Sequence, residues 1–478
     1  MKILVIDDED QFAGELISEL GEIVGSGNVM RAASRDSAER MIREQFFDLF
    51  IVDLKIPPTD DSIDANVSHG EAVFGYCREL AQGTPICFLT GSSTEPFVTR
   101  LLNEHSIAAD YWGTEAAHAG VKVYRKLDLA DLLAHVKQLQ SLFEGLQNIE
   151  IREATGQSIS PDQKRVLKLF TRRMKGVVCE VTQLKGGMSD ASVYKLGVFN
   201  GAGRCTNQAV GRIGPVNSLA DEVRKFDTNV TALGVGAFPT RICFLTHGAK
   251  STGGIFYRLA NEHVDCFADF LVKCPEQLGV LSLKMRDLFE PWIDGGYQRR
   301  IAISDLRRQL LEDKVLESLM ASFPLEWIHA FEKIEVNVVW GKKHGDLHGG
   351  NILVSPAGDP LVIDFGDVDD GAIAFDPITL CLSPFFHPQT SESMLGRFNA
   401  DDVITLLVTP SEHRDKDFSE FFGGCKIWID QLICQSPRTY FALIYCFCLR
   451  QLKYGDTDKN LAQALIDFSK REIDETLT

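Results

Sequence analysis

The sequence predicts a multidomain chain, with an α/β module on a doubly wound parallel sheet followed by an α+β module. Three observations carry this. At 478 residues the chain is too long for one hydrophobic core, so two or three domains are expected. Near the start, short apolar runs that end in polar residues alternate with helical stretches, the rhythm of parallel strands joined by crossover helices. Far downstream, "HGDLHGGNILV" (His344–Val354) and "VIDFGD" (Val362–Asp367) set acidic and amide side chains in loops beside short strands.

Composition narrows the class of protein. With 45% hydrophobic and 24% charged residues, the chain reads as soluble and globular. The net charge of -18 opposes broad contact with phosphate backbones, so no nucleic-acid partner is expected; it is compatible with a cationic small substrate. No run approaches the roughly 18 apolar residues of a membrane span. The start, MKILVIDDED, turns acidic after six residues, unlike a secretory signal, so a cytoplasmic location without a membrane partner is expected. Twelve cysteines without a C-x-x-C pair read as reduced core thiols.

The first strand, Lys2 to Ile6, delivers Asp7 and Asp8 at its C-terminal end, and a helix follows from about Gln11 to Leu20. "FDLFIVDLK" brings Asp53 to the end of a second strand. "TPICFLTG" ends a third at Thr90, and "VKVYRK" a fourth at Lys126. Doubly wound sheets bind ligands at these strand ends. Three carboxylates gathered there repel one another unless a cation lies between them, and an all-oxygen donor set favours Mg2+. Asp53 would then be an in-line nucleophile, with Thr90 and Lys126 holding the incoming phosphoryl oxygens. The alternative is a set of ordinary strand-end polar residues.

On these residues, positions 1–140 resemble a response-regulator receiver domain. The resemblance implies Asp53 as phosphoacceptor, Asp7, Asp8 and Asp53 as Mg2+ ligands, Thr90 and Lys126 as the switch pair, and a cognate sensor histidine kinase as partner. The chain also departs from the family pattern. "LKIPPTDDSIDANVSHG" after Asp53 is longer than the usual loop, and so is the stretch from Thr90 to Lys126. Leu127 stands where proline usually follows the switch lysine. Val123 takes the place of the switch aromatic, with Tyr124 one position off. These departures put in question how phosphorylation reaches the signalling face.

Residues 141–176 are expected to form a helical linker. Leu132, Leu133, Val136, Leu139, Leu142, Phe143 and Leu146 recur at helical spacing, giving one helix of about twenty residues. "SISPDQKRVLKLF" starts another, with Ser160 as cap and Pro161 at the first helical position. A passive spacer, a rigid coupler and a homodimer seam all remain open.

In the second module Asp346 and Asn351 are five apart, and Asp364 follows Asp346 by eighteen. These are the spacings of a kinase catalytic loop and metal-binding loop, where phosphoryl transfer is mostly positioning and charge neutralisation. His344 and His348 stand at i and i+4, but Gly345 and the loop context argue against a helical zinc site. His344 is expected to hold the loop backbone and His348 to line the site.

The pattern H-G-D-L-H-x-x-N, together with "AFDPITL", resembles the aminoglycoside and choline phosphotransferase branch of the protein-kinase-like fold, over about 177–470. The resemblance implies a bilobal phosphotransferase domain, with an N-lobe at 177–262 and a C-lobe at 263–478. It implies ATP or GTP as donor, Mg2+, and a small-molecule or protein hydroxyl acceptor. Asp346 would take or orient the acceptor proton, Asn351 and Asp364 would hold Mg2+, and Asp376 would be a helix cap or loop anchor. "VVCEVTQLKGGMSDASVYKLGV" reads as strand, glycine turn, strand, with Gly186, Gly187 and Ser189 approaching phosphates. In "QAVGRIGP", Arg212 occupies the place of the phosphate-gripping lysine, an exchange that is not neutral. Glu222 is expected either to pair with Arg212 or to lie exposed. The connector is placed near Leu259 and Ala260, and the helices of "KIWIDQLIC" and "TYFALIYCFCLRQLKY" are expected to shape the acceptor pocket. The expected function is a phosphotransferase under receiver control; the alternative is a nucleotide-binding pseudokinase. A DNA-binding regulator is disfavoured, because no basic helix-turn-helix segment is present.

Overall fold

The computed structural model describes residues 1–91, 108–154, 159–183, 191–234, 236–258 and 265–477. The chain forms two compact units, Met1–Asp221 with Thr240–Leu259, and Glu222–Pro239 with Ala260–Thr478.

The first unit begins with a five-stranded parallel sheet. Its strands are β1 (Ile3–Ile6), β2 (Val29–Ala32), β3 (Leu49–Asp53), β4 (Ile86–Thr90) and β7 (Val121–Arg125), in the order β2-β1-β3-β4-β7. The order reverses beside β1, which makes the sheet doubly wound and puts its binding crevice at the C-terminal ends of β1 and β3. Every residue of β1, β3 and β4 is buried, as expected of strands covered on both faces. The strand β2, "VMRA", went unread in the sequence because only its last residue is buried. One core, with Leu4, Ile6, Val52 and Phe88, packs under α2 (Arg35–Glu44) and α3 (Val67–Leu80). The other, with Ile3, Val5, Ile51 and Leu89, packs under α1 (Asp10–Val24) and α4 (Leu129–Gln147). Strand side chains alternate, so the neighbours Val123 and Tyr124 fall on opposite faces. Val123 joins the first core and Tyr124 the second.

Helix α4 serves two cores. Its Leu132, Val136 and Leu139 belong to the parallel-sheet module, whereas Leu146 belongs to the next core. A six-stranded sheet follows, in the order β12-β13-β11-β10-β9-β8. Its strands are β8 (Glu150–Glu153), β9 (Val178–Gln183), β10 (Ser192–Phe199), β11 (Cys205–Pro215), β12 (Arg241–Leu245) and β13 (Thr252–Arg258). The span 141–176 is therefore not wholly helical. It contains β8, which pairs in parallel with β9. A four-residue edge strand with Ile151 as its one apolar residue carries too little pattern to be read. Helix α5 (Pro161–Arg173) starts as expected, with Ser160 and Gln163 forming a reciprocal capping box and Pro161 at the first position. Its Phe170 stacks on Phe256 of β13, with ring centroids 3.9 Å apart.

Polar contacts lock the two sheets of this unit together. Arg165 of α5 is buried 3.1 Å from the buried Asp48 and donates Nε to the Gly248 carbonyl at 2.9 Å. Gly83 N–H donates to the Lys250 carbonyl, and Gly248 N–H donates to the Gly83 carbonyl, both at 2.8 Å. At Gly248 φ is +92°, and a Cβ there would lie 2.4 Å from the Tyr111 carbonyl. Arg172 donates to the carbonyls of Leu142 and Trp112. Tyr111 and Trp112 lie between the short paired strands β5 (Ala108–Ala109) and β6 (His118–Ala119) in the long stretch between β4 and β7.

Helix α6 (Val216–Asn229) starts in the first unit and finishes in the second, and residues 230–239 also fall with the second. The second unit contains the sheets β14-β17-β18 and β15-β16-β19. Their strands are β14 (Asp265–Cys266), β15 (Tyr297–Ala302), β16 (Glu335–Lys343), β17 (Ile352–Val354), β18 (Pro360–Val362) and β19 (Asp369–Ala372). Helices surround them, and nearly all of Pro437–Gln451 is buried. Among the described residues no single helix is long and apolar enough to cross a membrane. The helices Lys416–Leu432 and Pro437–Gln451 pass that test only as a pair bent by 115°.

Candidate functional site

Two acidic clusters stand out, one in each unit. In the first, β1 and β3 end side by side, and ligand oxygens of Asp7, Asp8 and Asp53 lie within 4.8 Å of one another. Asp7 and Asp53 are buried, while Asp8 is exposed. Lys126, one residue past β7, places Nζ 2.7 Å from Asp53 and 2.9 Å from Asp7. Its N–H donates to the carbonyl of buried Thr90, so the ends of β4 and β7 are tied together. Burial raises the Asp53 pKa and outweighs the opposing bond from Lys126. Burial disfavours the Lys126 ammonium, yet the bonds to Asp53 and Asp7 prevail and its pKa lies above the usual lysine value. Three clustered carboxylates with no nitrogen or sulfur donor fit a hard cation such as Mg2+.

The second cluster is built on the hairpin β17–β18, whose strands pair Ile352 with Val362. Asp346 and Asn351 lie before β17, and Asp364 lies after β18. Asn351 donates its side-chain amide to the Asp346 carbonyl at 2.9 Å, and Ile363 N–H donates to the Asn351 carbonyl at 2.9 Å. Those two bonds tie the loops together. Asp364 has φ +62°, a left-handed conformation that non-glycine residues adopt mainly where the surroundings impose it. Asn351 Oδ1 and the Asp364 carboxylate are hard oxygen donors suited to Mg2+.

The loop before β17 is anchored from below. Asp376, fully buried in the first turn of the helix Phe375–Phe386, accepts from His344 N–H at 2.7 Å and Gly345 N–H at 3.0 Å. This makes it a loop anchor. His344 shares a 3.0 Å hydrogen bond between Nε2 and the Ile363 carbonyl, bridging both loops. Gly345 has φ +85°, and a Cβ there would lie 2.5 Å from the Asp367 carbonyl. Phe365 packs edge-on against Phe226 and Phe238, and Lys225 donates to the Gly366 carbonyl at 2.8 Å.

Around the Asp346 carboxylate are side chains that the motif spacing did not reveal. His348 Nε2 lies 3.5 Å from one oxygen, and Arg450 Nη2 lies 3.7 Å from the other. The ring of His387 stacks on His348 at 4.5 Å. Burial pushes the pKa of both imidazoles down, that of His387 to about 4. A lone arginine in the otherwise apolar "IYCFCLRQ" was the available signal for Arg450; His387 had none.

The remaining expected site residues lie elsewhere. Arg212 is on the central strand β11, between Val193 and Ile255, in the first unit. Glu222 is buried on the α6 segment that belongs to the second unit, so the exposed alternative does not hold. Gly186, Gly187 and Ser189 fall outside the described residues, as do Leu259 and Ala260.

Comparison with known proteins gives two kinds of similarity. A family profile described as "Phosphotransferase enzyme family" matches residues 283–412, a span that includes Asp346, Asn351 and Asp364. No curated protein matches the chain. Among solved structures, a CheY-like response regulator receiver domain protein from Methanospirillum hungatei JF-1 is 20% identical. The alignment covers 29% of this chain and 95% of that one, with a TM-score of 0.21. Aminoglycoside phosphotransferase APH(4)-Ia is 14% identical over 65% of this chain and 97% of its own, with a TM-score of 0.35. Choline kinase LicA from Streptococcus pneumoniae is 14% identical over 62% and 93%, with a TM-score of 0.29. The strand order and the profile match carry the class: a receiver-like doubly wound α/β module followed by a kinase-like phosphotransferase fold.

Proposed function

We propose that the chain is a response regulator whose phosphorylation at Asp53 controls a phosphotransferase centred on Asp346. The observation that supports it best is the joined pair of loops, in which Asn351 bonds to Asp346 and Ile363 to Asn351. That arrangement brings one carboxylate suited to an acceptor hydroxyl close to two oxygen donors suited to cations. Asp346 orients the hydroxyl and takes its proton as the acceptor oxygen bonds to the terminal phosphorus of ATP or GTP. The bond from that phosphorus to the bridging oxygen breaks, and the nucleoside diphosphate leaves with the electron pair. Mg2+, held by Asn351 and Asp364, supplies charge neutralisation to the phosphates. Gly186, Gly187, Ser189 and Arg212 belong to the nucleotide side, and Glu222 supports it.

In the receiver-like module, Asp53 attacks phosphorus from a cognate sensor histidine kinase. Asp7, Asp8 and Asp53 hold Mg2+, while Lys126 and Thr90 meet the phosphoryl oxygens. The acceptor of the second reaction is a small molecule or protein bearing a hydroxyl, and the protein works in the cytoplasm.

Asp346→Asn tests the assignment. The variant should lose at least about a hundredfold in phosphotransfer, as expected for loss of a general base, while binding magnesium nucleotide within a few fold of the parent. Comparable turnover would remove Asp346 from the mechanism. A second reading is supported by Arg212, a bulkier cation than lysine on the central N-lobe strand. Under it the module binds nucleotide and signals without transfer, so tight nucleotide binding with no turnover in the parent protein would favour it.

A further inference from the structure

The Asp346 carboxylate has a neighbour that lies outside both loops. Arg450 comes from the helix Pro437–Gln451, more than a hundred residues along the chain. Its Nε donates to Tyr454 Oη at 3.1 Å, and its Nη2 stands 3.7 Å from Asp346 Oδ1. A charge-assisted hydrogen bond is about 2.7–2.9 Å long, so Asp346 attracts the guanidinium without engaging it. Among the described residues neither Nη1 nor Nη2 makes a hydrogen bond. The side chain is nonetheless only 21% exposed. Burial disfavours its charge, but Tyr454 and the carboxylates of Asp346 and Asp367 outweigh that cost and hold the guanidinium charged beside the site.

The neighbouring imidazoles of His348 and His387 are neutral or cationic and so offer the guanidinium no negative charge. An acceptor hydroxyl on Asp346 brings the phosphorus it attacks into line with it, and the equatorial oxygens of that phosphoryl group then pass along the flank of the carboxylate. The Arg450 Nη2 stands beside that carboxylate, 3.7 Å from Oδ1.

Resting on the phosphotransferase reading above, we propose that Arg450 binds an oxygen of the phosphoryl group in transit, through the two guanidinium nitrogens left open beside Asp346. It is a donor set in place before the reaction, so its contribution grows as negative charge spreads over the equatorial oxygens. The acceptor oxygen gains the phosphorus, the nucleoside diphosphate keeps the bridging oxygen and its electron pair, and the hydroxyl proton goes to Asp346. Arg450 gives up no proton at any stage.

The test uses the full-length protein with MgADP, alone and with aluminium fluoride, which mimics the phosphoryl group in flight. Fluoride should tighten MgADP binding in the parent. Arg450→Gln should lose about tenfold or more of that gain, as for a donor to a charged group, while binding MgADP alone within about twofold. Arg450→Lys keeps the charge and much of the stem but not the fork, and should lie between the two. An undiminished gain in either variant overturns the proposal, and is the result expected if Arg450 instead serves an anionic group on the acceptor. Equal loss for MgADP with and without fluoride also overturns it, because the role would then be structural. A parent protein that fails to bind MgADP at all would bring down the phosphotransferase reading itself, an outcome distinct from both.

Discussion

Single side chains set the chemistry of both clusters, and some act without touching them. Asp376 lies beneath the loop that carries Asp346 and fixes its backbone through two N–H groups, while His344 fastens that loop to the next. Both roles were legible in the sequence, because each residue sits inside a motif of fixed local spacing. Arg450 was not, since its place beside Asp346 depends on how a distant helix packs. His135 of α4 offers a test by pH. Its ring stacks on Tyr124, and burial, reinforced by Lys122, lowers its pKa to about 4. An unfolded chain accepts a proton on this imidazole near pH 6.5, and the folded chain refuses it until about pH 4. The stability it contributes is therefore complete above about pH 6.5 and declines as pH falls toward 4. His135→Phe should flatten that decline by up to one proton, measured as the difference in urea midpoints at pH 7 and pH 4.5. An unchanged difference would mean that the ring is already charged in the native state.

At the scale of elements, the contact between α5 and the start of β3 is the most exposed to mutation. Arg165 and Asp48 are both buried, and removing one partner leaves the other charge without its counterion. Arg165→Met should cost roughly 3 kcal/mol in chemical denaturation. Adding Asp48→Asn should recover part of that, so the double variant loses less than the sum of the singles. Strict additivity would show that the pair is not coupled. The strands β1, β3 and β4 were legible because strands buried on both faces are unbroken apolar runs. The edge strands β2 and β8 were not, because four residues with one buried or one apolar position resemble loop. The offset aromatic was visible as a departure, but its meaning required the sheet. A shift of one residue along β7 turns Tyr124 away from α3 and toward α4.

For the molecule as a whole, that turn sets Tyr124 on the side of the parallel sheet covered by α4. Tyr124 shares its core with Tyr111, Trp112 and α4, and those same parts meet α5. A change at Asp53, Thr90 and Lys126 is thus expected to register on this side of the sheet. Beryllofluoride should alter amide hydrogen exchange in residues 110–115 and in α5 of the parent protein, and should leave Asp53→Asn unchanged. Exchange confined to α2 and α3 would place the output on the opposite face. The two acidic constellations were readable from sequence, since local spacing carries them. How the first two sheets interlock was not, because Gly83, Gly113 and Gly248 act through close backbone approach that no local pattern encodes.

The double allegiance of α4 bears on how such a protein can be dissected or recombined. A cut near residue 140 splits α4 and parts Leu132, Val136 and Leu139 from the Leu146 that anchors its other end in the next core, and a cut near 177 removes an outer strand and the ring that covers Phe256. Neither half would leave the ribosome with a finished interior. Exchanging the first module for another would require keeping α4, β8 and α5 with the sheet they pack on, so that the two modules are inherited as one casting and not as beads on a string.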